Sequence, residues 1–406
     1  MKCGLLGRKL AHSYSPQIHS YLGTYSYELF EQEPEDIEKF LKNSDFTAIN
    51  VTIPYKKDVM PYCEELTDCA KKMGAVNTIV RRSDGKLIGH NTDYFGLHYT
   101  FQRMGITLNH KKVLVLGSGG ASVTTVIVLR ELGANVVIVS RSGENNYSNL
   151  HLHQDAAMIV NTTPVGMYPN AGVSPVDLDM FPYLEGVLDI IYNPARTKLL
   201  LDAAERNIPC ENGLWMLVAQ AKEAAEWFTG TKISDDVIPV IYEKMCTCME
   251  NIVLIGMPGS GKSTIGKMLA EKLGLQFVDA DIEIECKAGI SIPEIFEKYG
   301  ENEFRKLETQ VLSELGQKSA HVIATGGGCV TRAENYPLLH QNGTIYWIQR
   351  DITNLPTDGR PLSQAEKLEE MYSFRKPLYE KFADSIISND SCIDQTVESI
   401  LKGRLQ

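Results

Sequence analysis

"MENIVLIGMPGSGKSTIGKMLAEKLG", residues 249–274, decides the fold of the later part of this 406-residue chain. The apolar run NIVLI reads as a strand, the glycine-rich segment as a turn, and STIGKMLAEKLG as a helix. Gly256 through Ser263 fits the pattern G-x-x-x-x-G-K-[ST]. In such a loop the backbone N–H groups wrap the phosphates of a nucleoside triphosphate, the lysine reaches the outer ones, and the hydroxyl binds magnesium. A glycine turn that held no nucleotide would not require the Lys-Ser-Thr ending. Gly259, Ser260, Gly261, Lys262, Ser263 and Thr264 are therefore the expected ATP contacts, with Ser263 on Mg2+. The stretch reads like the opening of a protein, yet it lies past the middle of the chain.

A second glycine turn stands upstream, in "KKVLVLGSGGASVTTVIVLRELG" at 111–133. Gly117 and Gly119 end an apolar strand, and Ser122 takes the place of the third small residue of a dinucleotide fingerprint. There the backbone can approach a pyrophosphate, and the helix N-terminus favours its charge. Gly117, Ser118, Gly119, Gly120 and Ala121 are the expected cradle. The following strand ends in Ser140, Arg141 and Ser142 rather than in an acidic residue. A cation at that point suits a 2′-phosphate, which favours NADP over NAD. Read alone, Arg141 could also be a solvated surface residue.

The bulk numbers agree with a soluble enzyme of two or three domains. Apolar residues make up 43% and charged residues 22%. A formal net charge of −11, with no basic stripe, argues against nucleic-acid binding. Nine scattered cysteines form no disulfide framework, and the one close pair, Cys246 and Cys248, lacks nearby metal-ligating partners. "MKCGLLGRKLAHS" is charged too soon for a signal peptide, and no apolar run reaches membrane-spanning length. These features point to a reducing cytoplasm.

Residues 1–100 alternate short strands and helices: CGLLG, FTAINVTIP, AVNTIVRR and KLIGHNT as strands, SPQIHSYLGTY and CEELTDCAKKM as helices. Ser15 is the expected cap of the first helix, with Pro16 at its first position. Residues 111–212 repeat the strand–helix rhythm of a parallel sheet. Two helices follow, LWMLVAQAKEAAEWFTG ending at Gly230 and SDDVIPVIYEKMCTCM capped by Ser234. No Pro- or Gly-rich linker separates this region from the strand at 251, and no repeat or low-complexity segment occurs.

Residues 1–245 resemble the shikimate dehydrogenase family, in GLLGRKLAHSYSPQIHS, NVTIPYKKDV, GAVNTI, GHNTDYFGL, GSGGAS, NTTPVGM, DIIYNP and NGLWMLVAQA, all in family order. The resemblance implies a substrate domain from 1–101 and 213–248 and a Rossmann-type NADP domain from 102–212. It designates Lys56 and Asp93 as the catalytic pair, since a ketone beside a hydride donor needs a group to pass a proton to its oxygen. On the residues alone, Lys56 could equally be a surface lysine beside Lys57. Ser13 and Ser15 would bind the substrate carboxylate. Thr52, Asn77, Asp93, Tyr192 and Gln220 match positions that hold ring hydroxyls, although Thr52 and Asn77 could simply bond backbone at strand ends. Asp68, Ile190 and Gly213 match positions near the nicotinamide. Two features depart from the family: Lys9 stands where Pro is usual, and only residues 143–160 separate SRS from NTTPVGM, where a helix and a strand normally fit. A second basic residue after Arg141 is also missing. The expectation is a shortened cofactor domain with weak selection for the 2′-phosphate.

From 249 to 406 the chain resembles shikimate kinase, in FVDADIEIE, IPEIFEKYGENEFRKLE, ATGGGCV, GRPL and FRKPLYEKFAD. That resemblance implies a P-loop kinase with a parallel sheet, a substrate-binding helical region and a lid. Lys262 would be catalytic. Asp279 would act through magnesium-bound water, and Asp281 would hold and deprotonate a substrate hydroxyl. Arg305 and Arg375 would clamp the substrate carboxylate. Gly326, Gly327 and Gly328 would let backbone approach the ring, and Arg360 in the lid would reach the transferring phosphate. Arg375, near a proline, could instead be structural, and Cys329 reads as a small filler. The lid is short and lacks the extra arginine common before Arg-Pro-Leu.

The combined expectation is an α/β chain with NADP, ATP and Mg2+ as cofactors and small-molecule substrates. It would carry out two consecutive steps, reduction of 3-dehydroshikimate and phosphorylation of shikimate. Two other readings stay open on sequence: a quinate or shikimate dehydrogenase joined to another small-polyol kinase, and a catalytically silent ligand-sensing regulator. Oligomeric state is not legible.

Overall fold

The run KCGLLG forms β1 (Lys2–Gly7), flanked in its sheet by β2 (Ser26–Glu31) and β3 (Ala48–Val51). With β4 (Glu65–Leu66), β5 (Thr78–Arg81) and β6 (Leu87–His90) they make a six-stranded sheet in the order β2-β1-β3-β5-β6-β4. The first three strands are parallel, with Leu6 opposite Val51, whereas β3, β5 and β6 run antiparallel. Nearly every residue of β1 and β3 is buried, which explains their unbroken apolar runs. This is a computed structural model, and it describes residues 1–10, 13–355 and 365–404.

A second sheet contains β7 (Lys112–Leu116), β8 (Asn135–Val139), β9 (Met158–Asn161), β10 (Gly186–Asp189) and β11 (Cys210–Glu211), all parallel in the order β11-β10-β9-β7-β8. The shortening expected after Arg141 is visible in this order. β8 is an edge strand, and the chain returns from it to β9 through a turn and one 3-10 segment, Leu150–His153. Leu150 and Tyr147 pack on Leu114, Leu116, Val139 and Phe181, so the loop itself covers the core beside the edge strand.

The third sheet holds β12 (Asn251–Ile255), β13 (Gln276–Asp279), β14 (His321–Ala324), β15 (Gly343–Gln349) and β16 (Ser385–Ser388), parallel throughout in the order β13-β14-β12-β15-β16. Two units result. One comprises Met1–Met167, Val173–Tyr192 and Leu199–Met245, and the other Tyr168–Gly172, Asn193–Lys198 and Cys246–Gln406.

Three helix boundaries differ from the sequence expectation. The first helix is Ser15–Ser20 with Tyr14 as its cap, so Ser15 and Pro16 each sit one position further in. The stretch CEELTDCAKKM splits into β4 and a short helix, Asp68–Met73, because the Thr67 hydroxyl accepts the Ala70 N–H and starts the helix there. The helix expected from Ser234 begins at Val237, and the Ser234 hydroxyl accepts the Asp236 N–H in the turn before it. All nine cysteines are free thiols. Among the described residues no helix is long and apolar enough to cross a membrane.

Candidate active sites

The first site gathers at one end of the six-stranded sheet. Lys56 follows the turn after β3, and its carbonyl accepts the Val76 N–H at 2.7 Å, which fixes its backbone. Its Nζ donates to Asp93 Oδ2 at 2.6 Å. Asp93 is the first residue of the helix Asp93–Met104, where the helix dipole favours its charge. Both side chains remain partly open, at 28% and 13% exposure, so the pair is reachable from solvent.

Behind this pair lies a buried polar chain that the sequence reading only partly named. Thr92, fully buried, donates its N–H to Asn77 Oδ1 at 2.7 Å and receives Asn77 Nδ2 on its hydroxyl at 3.0 Å. The Thr92 hydroxyl also reaches Gln220 Oε1 at 3.3 Å. Asn50 accepts from the Tyr27 hydroxyl at 2.8 Å and donates to the Asn77 carbonyl at 3.3 Å. Thr92 and Asn50 therefore orient Asn77 and Gln220. The signal for both was their place inside NTD and INVT, next to residues already singled out. Ser13 accepts the Ser15 N–H at 3.3 Å. Thr52 is half-buried just after β3, where its N–H donates to the Leu6 carbonyl at 2.9 Å. Tyr192 stands edge-on to Tyr14 at 6.2 Å, and burial, with Tyr14 adding to it, raises its hydroxyl pKa.

The glycine turn after β7 bends where Gly117 adopts φ of +110°, and a side chain there would also meet Thr162 Oγ1 at 2.7 Å. Ser122 donates to the Gly117 carbonyl at 2.8 Å and closes the turn. Ser118, Gly119 and Gly120 are exposed, so their backbone is free to meet a pyrophosphate at the start of the helix Gly120–Glu131. Ser140 is half-buried, while Arg141 and Ser142 are exposed at the end of β8. Ile190 and Gly213 touch: a Cβ on Gly213 would fall 1.9 Å from the Ile190 carbonyl. Asp68, by contrast, points its side chain fully into solvent, 3.7 Å from the Lys71 ammonium.

In the other unit, one cleft of about 890 Å3 is lined by Gly259, Gly261, Lys262, Ser263, Thr264, Asp279, Asp281, Arg305, the glycines 326–328 and Arg375. Ser260, also expected here, is buried beneath the loop, where its carbonyl accepts from Asn389 Nδ2 at 2.8 Å. Lys262 donates to the carbonyls of Gly256 and Met257 at 2.8 and 3.0 Å, folding back over its own loop. Ser263 Oγ donates to Asp279 Oδ2 at 2.6 Å. A hydroxyl and a carboxylate side by side are hard oxygen donors, and they fit Mg2+. Burial, reinforced by the charge of Asp279, raises the pKa of Asp281.

Arg305 is held by two carboxylates, Glu308 at 2.7 Å and Glu301 at 3.2 Å. Burial works against its charge, but these partners outweigh it and raise its pKa. Glu308 is 1% exposed, and among the described residues its Oε1 has no hydrogen-bond partner. Burial lifts its pKa against the opposing charge of Arg305. The backbone glycines make room: a Cβ on Gly328 would lie 2.2 Å from Arg305 Nη2. Arg375 and Tyr379 both donate to the Gly327 carbonyl, at 3.1 and 2.5 Å. Asn389 and Glu308 escaped the sequence reading, because polar residues in a loop or a long amphipathic helix carry no spacing signal. Arg360 and its motif GRPL lie outside the described residues.

Comparison with known proteins adds a family to each unit. Residues 5–79 match the shikimate dehydrogenase substrate binding domain, and residues 258–403 match shikimate kinase. The NADP(+)-dependent shikimate dehydrogenase of Caldicellulosiruptor bescii is 37% identical over 265 residues, covering 57% of this chain and 91% of that protein. The crystal structure of shikimate dehydrogenase 1 from Peptoclostridium difficile is 37% identical, with a TM-score of 0.56 over 60% of this chain and 98% of that one. A chorismate mutase/shikimate 5-dehydrogenase fusion protein from Clostridium acetobutylicum is 34% identical, with a TM-score of 0.57 over 60% and 96%. The chain belongs to the shikimate dehydrogenase family and carries a shikimate kinase domain behind that enzyme in the same polypeptide.

Proposed function

We propose that this chain performs two consecutive reactions: reduction of 3-dehydroshikimate to shikimate with NADPH, and phosphorylation of shikimate at its 3-hydroxyl by ATP with Mg2+. The modules are residues 1–248, with the substrate domain at 1–101 and 213–248 and the NADP domain at 102–212, and residues 249–406. The observation that carries the reading is that both constellations are complete enough to act: the Lys56–Asp93 pair on one side, and the phosphate loop with Asp281, Arg305 and Arg375 on the other.

Gly117–Ala121 would hold NADPH, which would supply the hydride. Lys56, kept in place by its hydrogen bond to Asp93, gives its proton to the ketone oxygen as that oxygen becomes a hydroxyl. Ser13 and Ser15 take the substrate carboxylate, while Thr52, Asn77, Tyr192 and Gln220 take the ring hydroxyls. Ile190 and Gly213 wall the nicotinamide end, and Asp68 stands at its mouth.

In the kinase module Arg305 and Arg375 take the carboxylate as paired hydrogen-bond forks. Asp281 accepts the proton of the attacking hydroxyl, whose oxygen forms a bond to the γ-phosphorus while the bond to the ADP oxygen breaks. Lys262 and Arg360 offset charge on the transferring phosphoryl group. Ser263 and Asp279 would hold Mg2+, which supplies further charge neutralisation.

One reaction containing 3-dehydroshikimate, NADPH and ATP tests the whole scheme. NADPH loss and ADP formation should both appear, with ADP lagging behind. ADP formed without NADPH, or no ADP from added shikimate, would sink it. Quinate and gluconate assayed beside shikimate separate it from fusion to another polyol kinase, and binding without turnover would revive the regulator. The net charge of −11 supports small molecules rather than nucleic acid as partners, and the free cysteines suit a reducing cytoplasm.

Cofactor choice rests on Arg141, the one basic residue at the end of β8. Wild-type enzyme should prefer NADPH over NADH by no more than about tenfold in kcat/KM, and Arg141→Ala should erase that preference by slowing NADPH alone. A wild-type preference of several orders would overturn the assignment.

A further inference from the structure

We propose that Arg350 is a nucleotide-binding residue, whose guanidinium covers the purine and ribose end of ATP in the kinase cleft. The inference rests on the kinase reading above. Arg350 follows β15 and lines the same cleft as the phosphate loop. Its Nη1 donates to the Gly259 carbonyl at a long 3.4 Å, and its Nε is buried with no partner. Among the described residues these are its recorded polar relations.

The neighbouring carboxylates are occupied elsewhere. Asp351 Oδ1 accepts the Thr353 N–H at 2.9 Å and its hydroxyl at 2.7 Å. Asp390 Oδ1 accepts the Asp351 N–H at 2.6 Å. That last bond ties the segment of Arg350 to the loop after β16, which brings Ser391 and Ile393 into the cleft wall. Asn389 from the same loop donates to the Ser260 carbonyl at 2.8 Å. Asp281, Glu308 and Arg305 line the same cleft, and a Cβ on Gly326 would meet Asp281 Oδ1 and Glu308 Oε1 at 2.6 and 3.0 Å.

The loop turns a carbonyl toward Arg350, not an N–H. A carbonyl gives phosphate no hydrogen bond, so this point of the loop is not itself a phosphate donor. A planar guanidinium, a methylene-rich side chain and a hydroxyl are the surface that a purine ring and ribose can use, by stacking and by edge hydrogen bonds. A buried guanidinium N–H without a partner is costly, and a ligand atom relieves that cost.

Binding of ADP and of inorganic tripolyphosphate, each with Mg2+, to the full chain and to R350A, R350Q and R350K tests this. R350A should weaken ADP roughly five- to thirtyfold. Tripolyphosphate binding, KM for shikimate and the rate of NADPH-dependent reduction should not change. R350Q can still bond the Gly259 carbonyl, so it should stay as weak as R350A, and R350K should fall between. Recovery of ADP binding in R350Q would reduce Arg350 to a prop for the loop and overturn the proposal. Equal loss of tripolyphosphate would move the contact to phosphate and overturn the base-end assignment. If wild-type chain binds ADP and all three variants bind it as tightly, this inference alone fails. If wild-type chain binds no ADP, the kinase reading fails with it.

Discussion

Lys56→Ala should reduce 3-dehydroshikimate about 10²- to 10⁴-fold more slowly than the wild-type chain while phosphorylating shikimate at the unchanged rate. The range is that of a positioned proton donor. Lys56 is held on both sides, by its carbonyl on the Val76 N–H and by its Nζ on Asp93 at 2.6 Å. Truncation removes the proton donor but leaves Asp93 on the helix Asp93–Met104, where it favours the N-terminal end of the dipole. The Asn77–Thr92–Gln220 chain is also untouched. Substrate should therefore still bind, so the loss belongs in kcat more than in KM. Lys56→Arg keeps the charge but gives up a proton far less readily, so it too should bind substrate and lose turnover. A normal kcat with a raised KM would reduce Lys56 to a binding residue. Loss of phosphorylation in folded Lys56→Ala protein would mean that the two sites are not independent.

The parts of this molecule that announce themselves in sequence are those where one residue type alone satisfies the physics. Gly117 must adopt a left-handed backbone, and Lys262 and Ser263 must follow a phosphate loop. These positions were legible, as were the fully buried strands β1, β3, β7 and β12, whose apolar runs need no partner to be recognised. The edge strand β2, SYELFE, was not legible, because it is largely exposed and its pattern resembles a polar loop. The two-residue strands β4 and β11 carry no periodicity at all. The missing helix and strand after β8 were legible as a shortage of residues. How the sheet tolerates that loss was not, since it depends on Tyr147 and Leu150 turning inward from a loop. Within the candidate sites, the residues proposed to touch substrate stood in motifs. Of those that only orient them, Thr92, Asn50 and Asn389 act through neighbours far away in sequence, and Glu308 acts on Arg305 three residues before it on one helix.

Arg305→Ala should cost the kinase both its substrate and part of its stability. A buried guanidinium that meets a carboxylate in two hydrogen bonds contributes about 2–5 kcal/mol to binding, so kcat/KM for shikimate should fall by roughly 30- to 5,000-fold. The reduction step should be unaffected. The second effect comes from Glu308. In the wild-type chain its carboxylate is 1% exposed, with Oε2 on Arg305 at 2.7 Å and Oε1 without a partner among the described residues. Removing the cation leaves a buried carboxylate uncompensated, a situation that costs about 3–5 kcal/mol when the charge persists. Burial already raises the Glu308 pKa, and Arg305 opposes that rise, so the variant must raise it further. A carboxyl whose folded pKa lies above its unfolded value contributes its full stability below the unfolded pKa and loses it as pH rises through the folded one. The destabilisation of Arg305→Ala relative to wild type should accordingly grow as pH rises out of the acid range, in calorimetric unfolding of the full chain. Glu308→Gln added to Arg305→Ala should flatten that pH dependence and restore stability, because the neutral amide carries no charge to bury. It should not restore phosphorylation, since the carboxylate clamp is still missing. A destabilisation independent of pH, or a double variant no more stable than Arg305→Ala, would show that Glu308 does not bear the buried charge.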